Sequence, residues 1–293
     1  MNDLLFDSDK KLRSGWRFVL FFTSFVIISS FVQLVLISAF KEAALSFMIV
    51  LMHSASIIIS ILLGWFFGKI FENLPFKALG ISVTRNWLKD FSLGLLFGFF
   101  SIFLAILIAY VFDALKLEVR KIDTTTFYSL SFNFLIFLIA AISEETLFRG
   151  YMLQTFIRAK STLTGIILTS LLFASAHNLN PSVNILSLIN TFIAGIWLSV
   201  AYLKAQNLWF PISIHLSWNW FQGPVFGINV SGIEEFSRNS ILQVTQKNYE
   251  LINGGNYGIE GGLACTASLI VSTILLLLFH QKINIEPSEA RPE

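Results

Sequence analysis

The feature that most limits this chain is a succession of apolar runs, each of about 18 or more residues and nearly free of charge, recurring along its length. About 20 residues of helix cross a hydrocarbon core of roughly 30 Å, and a helix satisfies its own backbone where no water can. Eight candidate spans follow: about 17–40, 43–70, 91–112, 128–157, 163–177, 183–203, 208–221 and 262–280. The seventh is short and the fourth long, so these two are not expected to be plain lipid-facing rods. Of the 293 residues 55% are hydrophobic and 13% charged, too little charge to cover a soluble protein of this size. The expected fold class is all-α: a polytopic transmembrane helical bundle of about eight transmembrane helices plus an interfacial helix.

That interfacial helix is expected in 72–90, where Leu, Phe, Ile and Trp mix with Lys77, Arg85 and Lys89. Lys10, Lys11, Arg13 and Arg17 precede a first apolar stretch too long for a cleavable signal core, which reads as a retained signal anchor. With the N-terminus inside, fourteen Lys and Arg fall on the cytoplasmic side and six on the other. Positive charge is retained inside during insertion, so the expected location is the cell membrane, multi-pass, with both termini cytoplasmic.

A net charge of +2 and the lack of any run of five or six basic residues exclude a nucleic-acid surface. Cys265 stands alone, which rules out an internal disulfide, a zinc finger or an iron–sulfur cluster, and it reads as a packing residue of the last span. The loop 222–261 contains Gly254, Gly255, Gly258 and Gly261 but no Lys-Ser/Thr after them, so a flexible connector is expected rather than a phosphate loop. A polar loop near 122 divides N-terminal helices and the interfacial segment (1–121) from a core that holds the polar chemistry (122–282). Residues 283–293 read as a disordered tail.

The fourth span ends in Ala141-Ile-Ser-Glu144-Glu145-Thr-Leu-Phe-Arg149-Gly150. A charged side chain at mid-bilayer costs roughly 2.5–3.5 kcal/mol on insertion scales, so three of them in one apolar helix require compensation. Glu145 and Arg149, four apart, share a helix face and can pair, while Glu144 is rotated by about 100° towards another neighbour. Glu145 and Arg149 therefore read as supporting groups and Glu144 as the free carboxylate. The fifth span ends Phe173-Ala-Ser-Ala-His177, and the seventh holds His215-Leu-Ser-Trp-Asn219 with its two polar residues on one face. At about 1.5 Å per residue, Glu144, His177 and Asn219 lie roughly 18–21 Å deep and His215 roughly 12 Å. These are the parts of water-mediated peptide hydrolysis: a carboxylate and an imidazole to deprotonate water, and further donors for the oxyanion.

At these residues the chain resembles the CPBP family of CAAX-processing and bacteriocin-processing membrane peptidases, over about 125–222. The motifs are Glu144-Glu145-x-x-x-Arg149, Phe173-x-x-x-His177 and His215-x-x-x-Asn219, in order on successive helices. The resemblance implies an all-helical fold around a cavity open to one leaflet, and an intramembrane protease acting on a membrane-associated protein or peptide. It implies Glu144 and His177 as the residues that activate water, His215 and Asn219 as the oxyanion pocket, and Glu145 and Arg149 as support. It implies no cofactor under the glutamate-type mechanism; under the older metallopeptidase view, Glu144, His177 and His215 would ligate zinc.

Two rival readings stand beside it: a proton-coupled membrane transporter, since buried Glu, Arg and His also mark ion pathways, and a non-catalytic immunity or scaffold protein. His53 reads as a satisfied interhelical donor, and His280 as interfacial. Trp16, Trp209, Trp218 and Trp220 suit interfacial belts or packing, with a substrate groove as the second reading of Trp218 and Trp220.

Overall fold

Each of the eight apolar runs forms a helix in the computed structural model, which describes residues 2–7, 10–83, 85–247 and 249–278. They are α1 (Ser14–Ala39), α2 (Leu45–Glu72), α3 (Trp87–Val111), α4 (Thr124–Arg158), α5 (Thr162–Ala176), α6 (Ile185–Ala205), α7 (Trp209–Trp220) and α8 (Leu263–Leu278). Single helical turns occur at Asn2–Leu5 and Glu250–Asn253. Among the described residues five helices, α1 to α4 and α6, are long and apolar enough to cross a membrane; α5 and α8 are shorter apolar helices. The protein is thus a multi-pass all-helical membrane bundle. His280, Lys282 and the segment 283–293 lie outside the described residues.

The helices sort by what surrounds them. Phe31, Leu34, Ile58 and Phe100 are exposed on α1 to α3, as expected of helices whose outer faces meet lipid. α7 has 12 residues, about 18 Å of helix, and its stretch from Pro211 to Trp218 is buried. Protein rather than lipid encloses it, so its length is not tied to the bilayer thickness.

α3 provides much of that enclosure through small residues. A β-carbon on Gly98 would stand 2.5 Å from the Ile214 carbonyl oxygen and 2.8 Å from Ser217 Cβ, and one on Gly94 would overlap Ser213. Gly94 and Gly98 are four apart on α3, and Ser213 and Ser217 four apart on α7, so two small-residue faces let the backbones approach closely. The Ser217 hydroxyl donates to the Leu95 carbonyl at 2.6 Å. The start of α7 is held as well: Asn207 Oδ1 accepts from the Trp209 and Phe210 amides, and Asn207 Nδ2 donates to buried Asp90 of α3 at 2.7 Å.

At the start of α1, Glu72 of α2 accepts from Arg17 of α1 at 2.6 Å and from Arg158 of α4 at 2.8 Å through both carboxylate oxygens. One carboxylate between two guanidiniums joins three helix ends.

Two expectations need correction. The segment 72–90 is not an interfacial helix: apart from the end of α2 and the start of α3, its described residues hold only the 3-10 turn Phe76–Leu79. Pro75 precedes that turn and Gly80 ends it at φ +82°, and both interrupt helical propagation. The strap is fastened inward, the Leu208 amide donating to the Gly80 carbonyl and Gln154 Nε2 to that of Leu79.

Nor is 222–261 a loose connector. Phe226, Ile228, Val230, Phe236, Tyr257 and Ile259 are buried, and β2 (Leu242–Gln246) pairs antiparallel with β1 (Leu115–Val119), Leu117 opposite Val244. Its glycines serve close backbone crossings: Gly232 and Gly258 adopt positive φ, and a β-carbon on them would overlap the carbonyls of Pro181 and Asn229. Burial, aided by the Glu260 carboxylate, pushes the Tyr257 hydroxyl up to about 12.

Candidate active site

α4 begins with a capping box, Asp123 accepting from the Thr126 amide at 3.0 Å while the Thr126 hydroxyl accepts from the Asp123 amide. It runs as regular helix to Glu145 and then widens into a π-helical turn, Thr146–Met152, in which Gly150 leaves helical geometry with ψ −119°. Such bulges re-aim side chains and recur at functional sites. Here the bulge starts immediately after the Glu-Glu pair.

The two carboxylates take opposite environments. Glu145 and Arg149 are both fully buried, with Arg149 Nη1 2.9 Å from Glu145 Oε1. Arg149 Nη2 donates to the Gly195 carbonyl of α6 at 2.9 Å, and its guanidinium carbon lies 4.8 Å from the centre of the Phe173 ring. Gly195 is essential to this approach, because a β-carbon there would stand 2.8 Å from Ser170 Cβ of α5. Glu144 instead points into a cavity of about 440 Å³, and its side chain is 22% exposed to that space.

His177 is the residue at which α5 stops, so the Phe173 carbonyl is one of the last carbonyls of that helix with no intrahelical amide to serve it. His177 Nδ1 lies 2.8 Å from that oxygen. A carbonyl only accepts, hence Nδ1 carries the hydrogen and Nε2 keeps its lone pair. The spacing of Phe173 and His177 is thus a C-terminal cap that also sets a tautomer.

His215, on α7, places Nδ1 3.0 Å from Glu145 Oε1 and Nε2 3.9 Å from Glu144 Oε2, so its ring stands between the paired and the open carboxylate. The Phe173 ring centre is 4.9 Å from that of His177 and 6.1 Å from that of His215, which makes it the apolar partition shared by both imidazoles and Arg149. Asn219 joins Glu144, His177 and His215 on the cavity wall. Among the described residues no ion pair or hydrogen bond joins His177 or Asn219 to Glu144; all three line the same cavity. Trp218 lines the same cavity, whereas Trp220 turns away to donate to the Leu130 carbonyl at 3.0 Å. Cys265 is buried in the cavity wall.

Zinc does not fit this arrangement as it stands. Among the described residues no three His, Cys, Asp or Glu side chains gather closely enough to ligate a metal ion.

Several contributors were not singled out from sequence. Phe173 was visible only as a motif letter, and Gly195 serves through its backbone, which no side-chain pattern reports. His53 of α2 corrects an expectation: it is not satisfied between helices but faces the cavity, close enough to Glu144, His177 and His215 to interact electrostatically. Its signal was present, since a histidine in an otherwise apolar span needs a partner or a wet surface.

Apolar helices around a cavity, with a buried ion pair behind an open carboxylate and two imidazoles, define a membrane protein with an embedded polar site. Residues 126–221 match the family described as "Type II CAAX prenyl endopeptidase Rce1-like". The segment runs from the first turn of α4 to the end of α7 and contains all three motifs. Over 84 residues the chain is 40% identical to the "Uncharacterized 24.3 kDa protein" of Escherichia coli, a stretch covering 28% of this chain and 37% of that relative. No solved structure matches the chain.

Proposed function

We propose that this protein is an intramembrane endopeptidase of the glutamate type, acting on a membrane-associated protein or peptide in the cell membrane, with both termini in the cytoplasm. The observation that carries the reading is the contrast between neighbouring carboxylates: Glu145 is consumed by Arg149 and His215, while Glu144 stays open to the cavity across from His215 Nε2.

In this reading a water held between Glu144 and His177 Nε2 attacks the scissile carbonyl, and Glu144 takes one of its protons. The carbonyl oxygen becomes an oxyanion that His215 Nε2 and the Asn219 amide stabilise by donation. Ionised Glu145, held by Arg149, can only accept, so His215 Nδ1 carries a hydrogen. Donation from Nε2 as well uses both ring nitrogens as donors, with Glu145 on the Nδ1 side and the cavity on the Nε2 side. The proton held by Glu144 passes to the leaving nitrogen as the C–N bond breaks, releasing an amine and a carboxylic acid, which then loses its remaining proton to the amine or to solvent. No step passes through a metal.

The test uses purified protein in proteoliposomes with an internally quenched, prenylated CAAX peptide. Cleavage by the native protein and its loss in Glu144→Gln and His177→Ala variants that still fold are expected. Undiminished cleavage by either variant refutes the assigned roles. Proton flux that requires Glu144 without any peptide cleavage would place the protein among carriers instead. Turnover is expected to survive exhaustive chelation, and strict dependence on added zinc would overturn the glutamate-type mechanism.

A further inference from the structure

Part of the cavity wall is built by α1 and by α2, which packs beside α4; both lie outside the segment 126–221 and take no part in the chemistry above. That wall carries three polar side chains in otherwise apolar helices: Gln33 on α1, and His53 and Ser56 on α2. His53 and Ser56 are three apart and share a helix face. All three are half-buried and line the cavity, and no hydrogen bond joins any of them to another described residue. In a membrane such groups are costly unless something supplies partners.

The chemistry of the three narrows what that partner is. An amide, a hydroxyl and a neutral imidazole can each donate and accept, and none brings a fixed charge. No Lys or Arg lines the cavity, whose carboxylates are Glu144 and Glu260. The strip therefore suits neither a carboxylate nor a phosphate, but it does suit groups that offer a donor and an acceptor together. The peptide bond is such a group. A helical substrate keeps its amides and carbonyls paired within itself, whereas hydrolysis requires the scissile bond and its neighbours to be unwound, which leaves them unpaired within the bilayer.

The spacing agrees. Counted along each helix from the ends joined by the short 40–44 connection, Gln33 lies about 9 Å deep, His53 about 12 Å and Ser56 about 17 Å, at about 1.5 Å per residue. The difference of about 8 Å corresponds to two or three residues of extended chain at about 3.3 Å each.

We propose that Gln33, His53 and Ser56 form a binding strip for the unwound backbone of the substrate peptide, holding it against the Glu144 wall. This rests on the peptidase reading of the cavity. The three are positioning residues: they act on where the peptide lies, not on the reacting atoms.

The experiment uses the full chain in proteoliposomes and the same quenched, prenylated CAAX peptide, in one form N-methylated at the amides flanking the scissile bond and in another carrying a benzophenone. The Gln33→Leu, His53→Leu, Ser56→Ala triple variant is expected to raise KM about tenfold while kcat changes less than about twofold. N-methylation should raise KM for the native protein by a similar factor and add little in the triple variant, and His53→Gln should restore most of the loss caused by His53→Leu. Unchanged KM in the triple variant, or fully additive effects of N-methylation, overturns the strip.

Binding is read separately by photocrosslinking in the Glu144→Gln protein. Labelling of α1 or α2 is expected, and its absence alongside Glu144-dependent cleavage sinks the strip but keeps the peptidase. Labelling at the strip with no cleavage by the native protein does the reverse.

Discussion

Two faces of one helix, one residue apart, are treated in opposite ways. The Glu145 side of α4 is sealed: Glu145 and Arg149 are fully buried, paired through Glu145 Oε1, which also meets His215 Nδ1, while Arg149 Nη2 donates to the Gly195 carbonyl. The Glu144 side is left open to the cavity that His177, Asn219 and α2 also line. A buried charge is tolerated when it is paired and hydrogen-bonded, while a group that must exchange a proton needs room for water and substrate. The comparison teaches that identical residue types adjacent in sequence divide into a sealed and an open carboxylate by what the neighbouring helices bring to each.

Breaking the open side should act on activity and leave the fold alone. Glu144→Gln is expected to lower kcat by about 10²–10⁴-fold, the range of a lost general base, with no loss of thermal stability in detergent. A destabilised protein would mean that Glu144 belongs to the scaffold after all. Breaking the sealed side should do the opposite. Arg149→Leu leaves Glu145 as an uncompensated buried charge, and a loss of about 3–5 kcal/mol in equilibrium unfolding is expected. If that variant unfolds at the native midpoint, the cluster is not what holds α4 to α6.

Two smaller effects sharpen the boundary. Asn219→Ala should reduce kcat by about 10²-fold with KM nearly unchanged, as for removal of one oxyanion donor. A raised KM at constant kcat would move Asn219 into substrate binding. Gly98→Val forces a side chain between α3 and α7 and should cost about 1–3 kcal/mol by overpacking, seen as an earlier unfolding transition. An unchanged transition would show that the helices can part there without consequence for the site.

Much of this was legible in the chain. The eight apolar runs became eight helices because hydrophobic length is a local property, and the motif residues lie on the expected faces of α4 and α7 because helical period is local too. Other parts were written in the sequence but ambiguous there. The four-residue spacing of Gly94 and Gly98 is a contact signal only once a partner helix with Ser213 and Ser217 is known to face it. The glycines of 222–261 are compatible with looseness and with tight crossings alike, and only the packed neighbours distinguish the two.

What the sequence by itself determined, then, is the solvent and the parts: a lipid environment, helices of given length, and an acid pair, two imidazoles and an amide carried on three of them. Only the tertiary structure decided which carboxylate is sealed and which is open, and that α2 brings His53 to the same cavity. The reason is physical. Hydrophobicity, helical period and the capping contact of His177 with Phe173 act between near neighbours in the chain, whereas the sealing of Glu145 and access to the cavity depend on groups tens of residues away that meet only when the helices pack.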